Sequence, residues 1–130
     1  MFILIGEMNF DNDKIPTDLH ECFDILREIM HDSEEGEWFK SASEDDAIVS
    51  THHGLGQWIR NTWKLWDKKS TLYDHLKRMG LWNADDMSSF ILKSYHRLIN
   101  GKELDLGIQI DEYINYWKEY EEKFGPLQNK

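Results

Sequence analysis

The chain has 130 residues, 40% of them hydrophobic and 8 of them glycine. That length and apolar share suit one compact domain able to bury roughly two-thirds of its unfolded surface, and they exclude wholesale disorder. Acids outnumber bases 25 to 15, a formal net charge of -10, so the phosphate-neutralising surface that dominates nucleic-acid affinity is lacking on average and direct nucleic-acid binding is not expected.

An acidic field of this size instead favours a partner with a basic surface. The single cysteine, Cys22, cannot close an internal disulfide and falls on an apolar helix position, which fits core packing in a reducing compartment. No run approaches the roughly 20 apolar residues that span a bilayer. Met1 to Ile5 is apolar but lacks the basic n-region and long h-region of a signal peptide, so the expected location is the cytoplasm, away from membranes. Those five residues could form a short strand or an extended arm, and periodicity does not choose between the two.

Further along, a period near 3.6 dominates. A first helix is expected from about Pro16, with Leu19, Cys22, Phe23, Leu26, Ile29 and Met30 on one face. Residues 31–50 read as an acidic connection: Asp32, Glu34, Glu35, Glu37, Glu44, Asp45 and Asp46 stand against Lys40, a local net of -6, with Trp38 and Phe39 as its anchor. Ser43 predicts an N-cap for a short helix over Glu44 to Ser50. A third helix is expected over Leu55 to Trp66, with Leu55, Trp58, Ile59, Thr62 and Trp66 sharing a face and Trp63 on its shoulder. Ser70 caps a fourth that buries Leu72, Tyr73, Leu76 and Met79 and stops at Gly80. Asn83 caps a fifth that buries Met87, Phe90, Ile91, Ser94 and Leu98 and ends at Asn100-Gly101. A last helix is expected to begin at Asp111, to bury Tyr113, Ile114, Trp117, Tyr120 and Phe124, and to break at Gly125-Pro126. Before it, Leu104, Leu106, Ile108 and Ile110 alternate as a short strand would, with Met1 to Ile5 as the candidate pairing partner. The expected architecture is all-α: a single-domain bundle of about five to six helices over residues 1–130, with at most a minor two-stranded element.

The run His52-His53-Gly54-Leu55-Gly56-Gln57-Trp58-Ile59-Arg60-Asn61, then Leu65-Trp66, Asp85-Asp86-Met87-Ser88 and Tyr95-His96-Arg97, carries a pattern of the form H-x-G-L-G-x-x-I-R-N, L-W, D-D-x-S. Over about residues 50–100 it resembles a bacterial and phage family known only as a domain of unknown function. The resemblance implies no activity. The chain departs from the commoner form at Lys64, where a glycine often precedes the Leu-Trp pair, and at Asn83-Ala84, where His-Pro is frequent; both departures sit at helix ends.

The candidate functional residues follow from chemistry. On a helical projection His53 and Arg60 share a side two turns apart, where an anion could bridge imidazole and guanidinium, and Asp86 could orient Arg60 or a histidine across a cleft. The bland reading is that Arg60 is paired internally, that Gly54 and Gly56 let a neighbouring helix approach, and that Asp86 only completes the Asn83 cap. Asp85, Ser89 and His96 share one helix face, but side chains so spaced do not touch and no strained nucleophile turn is present. No cysteine pairs, H-E-x-x-H pattern or phosphate loop occurs, so no metal or cofactor is expected. Of the six tryptophans, Trp63 and Trp82 are the candidates for exposure, beside a basic stretch from Arg60 to Arg78 with a local net of +4. Two functions compete. The leading one is a non-catalytic acidic protein of inhibitor, immunity or phage anti-defence type, binding through Trp63, Trp82 and the acids Glu34, Glu35, Glu37, Glu44, Asp45 and Asp46. The other is a small enzyme or anion sensor built on His53, Arg60 and Asp86.

Overall fold

The computed structural model describes residues 12–127. They form seven helices: α1 (Leu19–Met30), α2 (Glu34–Ser41), α3 (Glu44–Thr51), α4 (Leu55–Thr62), α5 (Thr71–Met79), α6 (Ala84–Ile99) and α7 (Leu106–Phe124). Five starts carry the side-chain caps that satisfy orphan amides: Asp18, Ser33, Ser43, Ser70 and Asn83 accept from the amides of Glu21, Gly36, Asp46, Tyr73 and Asp86.

The architecture is helical, with one more helix than expected and no strand among the described residues. The added helix is α2, inside the stretch read as a connection. Ser33 caps it, and Glu34, Glu35 and Glu37 in its first turn complement the helix dipole, a start signal that the density of acids obscured. The expected strand over Leu104 to Ile110 is replaced by the first turns of α7, which begins at Leu106 rather than Asp111 and buries Gln109 and Ile110. Its proposed partner, Met1 to Ile5, lies outside the described residues.

Helix α6 is the spine, packed by α1, α2, α3, α4 and α7. It is buried around most of its girth, through Met87, Phe90, Ile91, Leu92 and Tyr95 on its apolar sides and Ser88, Ser94 and His96 on its polar ones. Phe39, Leu26, Leu55, Ile59, Trp63, Leu72 and Leu76 close around it. At Gly36 a Cβ would lie 2.1 Å from the Met30 carbonyl oxygen, so only glycine lets α2 fold back on the end of α1.

The tryptophans of the third expected helix are exchanged. Trp63 is 0% exposed and Trp66 is 63% exposed, the reverse of the sequence reading. Helix α4 stops at Thr62, Lys64 takes the left-handed conformation at φ 56°, and the Leu65 amide donates back to the Arg60 carbonyl at 3.0 Å. This six-to-one closure turns the chain so that Leu65 enters the core and Trp66 leaves it. Trp58 is half-buried, as are Leu98 and Trp117, and Ile114 is exposed, so these expected core residues line its margin.

Candidate functional site

Arg60 is buried, 4% exposed, and its guanidinium is divided among three partners. Nη1 donates to Ser88 Oγ at 2.8 Å, Nη2 donates to the His52 carbonyl at 3.0 Å, and Nε lies 3.5 Å from Asp85 Oδ1. A Cβ at Gly56 would stand 3.1 Å from Nη1, so this glycine makes room for the guanidinium. The H-x-G-L-G-x-x-I-R-N and D-D-x-S segments therefore meet at one point: the first contributes His52, Gly56 and Arg60, the second Asp85 and Ser88, and together they staple the α3–α4 turn to α6. Burial lowers the Arg60 pKa and Asp85 counters that. His53 is exposed in the turn before α4, not on the helical face it was projected onto, and its ring meets His52 edge-on at 4.9 Å.

Asp86 faces elsewhere. Its Oδ2 accepts from Trp117 Nε1 at 2.7 Å and from Asn83 Nδ2 at 2.9 Å, so it is both the capping acid and the anchor of α7. His53, Arg60 and Asp86 thus do not share a concave site. His96 is also engaged, its Nε2 donating to the Ala42 carbonyl at 2.9 Å.

Around Asp86 opens a groove of about 610 Å³ between the start of α6 and the middle of α7. Trp82 and Trp117 meet edge-on at 5.2 Å, with Tyr116 4.9 Å beyond. Tyr113 completes the wall, its phenol pushed up by burial and by Asp86. Of the two tryptophans expected at the surface, Trp82 is half-buried here and Trp63 is in the core. Tyr113 and Trp117 escaped sequence reasoning because their helical spacing is also that of a core stripe, and Tyr116 because it lies off that stripe; the available signal was the number of aromatics crowded into so polar a helix.

The predicted acids divide in two. Glu44 is structural, held by Arg97 Nε at 2.6 Å and Nη2 at 3.2 Å, and this bond draws its carboxyl below the ordinary value. Glu34, Glu37, Asp45 and Asp46 are exposed and Glu35 is half-buried, all in the first turns of α2 and α3. Asp32, Glu34 and Glu37 rim an open depression of about 630 Å³ with Trp38 in its wall. Among the described residues no group of His, Cys, Asp and Glu is placed to hold a metal ion, and no helix is long and apolar enough to cross a membrane.

Residues 15–99 match a family model described as a domain of unknown function (DUF6794). The chain belongs to this family. The DUF6794 match begins well before the stretch near residue 50 where the resemblance was read, taking in α1 to α6, and it stops short of α7. No curated protein and no solved structure matches the chain.

Proposed function

We propose that this chain is a non-catalytic protein-binding domain that engages a basic surface on its partner, an action of inhibitor, immunity or phage anti-defence type carried out in the bacterial cytoplasm. The observation that carries this reading is the Trp38 depression, where an indole wall is rimmed by Asp32, Glu34 and Glu37, while Asp45 and Asp46 stand exposed in the first turn of α3. An aromatic wall with a carboxylate rim suits a lysine or arginine side chain, and a net charge of -10 steers such a partner in. The internal engagement of Arg60 and Asp86 supports it further, since two of the three candidates of the enzyme reading serve the scaffold.

Quantitative capture tests this with two baits, the native chain and a variant carrying Glu34→Gln, Glu37→Gln, Asp45→Asn and Asp46→Asn. Proteins retained by the native bait, released by salt and absent from the neutralised bait are the expected result. Retention of the same proteins by both baits contradicts it.

A further inference from the structure

We propose that the α6–α7 groove is a second binding site, for an arginine side chain presented by a basic peptide segment of another protein. It goes beyond the function proposed above, because its residues are separate from the α2–α3 acids and only the sign of the ligand's charge is shared.

Four aromatic rings, Trp82, Tyr113, Tyr116 and Trp117, face one concavity, and ring faces attract cations, tryptophan most strongly. The protein already shows the geometry: its own Lys93 ammonium stands 6.0 Å from the centre of the Tyr113 ring, at the outer limit of useful range. Glu112 lies exposed on the rim, with Asp85 and Asp86 beside it, so three carboxylates face one lysine. Asp86 fixes the Trp117 ring, and Asp85 is shared with Arg60, which leaves Glu112 as the group best placed to pair with a ligand.

Arginine suits this surface better than lysine, because a guanidinium plane stacks on an aromatic face, forks onto a carboxylate and is more weakly hydrated. A second copy of this chain is the wrong occupant. It carries the same -10 charge, and α7 itself holds five acids against two lysines. The rings continue along α7 from Trp117 through Tyr120 to Phe124, at 5.4 and 4.8 Å between neighbours, and Phe124 is 71% exposed. A peptide seated in the groove therefore meets further ring surface along the helix.

Titrating the full ¹⁵N-labelled chain with a short glycine–arginine peptide, and with its citrulline counterpart of nearly the same shape but no charge, tests the proposal through the tryptophan indole N–H signals. The arginine peptide is expected to shift the Trp82 and Trp117 signals saturably, and the citrulline peptide to leave them in place. Tyr116→Ala and Glu112→Gln, both at exposed positions, should each weaken binding about two- to fivefold. Lys93→Met removes the competing internal cation and should strengthen it. Equal response to citrulline, a shift at Trp38 alone, or weaker binding by Lys93→Met would overturn the proposal. The bait neutralised at α2 and α3 should keep the Trp117 titration, so loss of one site is read separately from loss of the other.

Discussion

Lys64 holds a backbone conformation that glycine adopts without strain, φ 56° at the end of α4. Lys64→Gly should therefore stabilise the chain by about 0.5–1 kcal/mol, visible as a higher denaturant midpoint with an unchanged slope. The residue was legible as a departure from the family pattern, but its conformation was not, and that single dihedral exchanged the roles of Trp63 and Trp66. Trp63→Ala should cost about 3–5 kcal/mol, and Trp58→Ala, at a half-buried position, clearly less. Arg60 was legible as an outlier, while its partners were not, because the projection that paired it with His53 assumed a helix running through the turn at residues 52–54. Arg60→Ala should cost about 2–3 kcal/mol in urea unfolding by leaving the His52 carbonyl without this donor and the Ser88 hydroxyl with only its bond to the Asp85 carbonyl, and Arg60→Lys should not restore it, lacking the fork.

Among the elements, helices with a clean apolar stripe and a polar cap, α1, α5 and α6, were legible almost to their ends. The two that were missed or shortened, α2 and the start of α7, bury few residues, Phe39 in one and Gln109 and Ile110 in the other, so neither carries an apolar stripe long enough for periodicity to reveal it. Helix α3 is tied to α6 by the ion pair of Glu44 and Arg97, whose side chains are 25% and 19% exposed. Arg97 pulls the Glu44 carboxyl below its ordinary value of 4.5 in the folded chain. A depressed folded pKa contributes stability that is complete above the unfolded value and lost as pH falls through the folded one. Glu44→Gln should thus cost about 1 kcal/mol at neutral pH and nothing once the native carboxyl is protonated, so the two unfolding curves converge in acid. A constant gap between them down to the most acidic folded condition would show that the pair is not the cause.

Across the whole molecule, the family-like segments build the scaffold, and the surfaces with unspent chemistry lie at its edges, in the Trp38 depression and the α6–α7 groove. Composition alone made the acidic field legible. It did not show that six of the seven acids between residues 31 and 50 stand in first turns, where they also serve the helix dipoles, so charge reversal there destabilises as well as repels and neutralisation is the cleaner change. The most direct test of protein binding through this field is the association rate of a captured partner, measured against ionic strength for the native chain and for the variant neutralised at Glu34, Glu37, Asp45 and Asp46. Electrostatic steering predicts a native rate that falls steeply with salt, and a neutralised rate that is slower at low salt and nearly flat. Identical salt slopes for the two chains, with both folded, would contradict it.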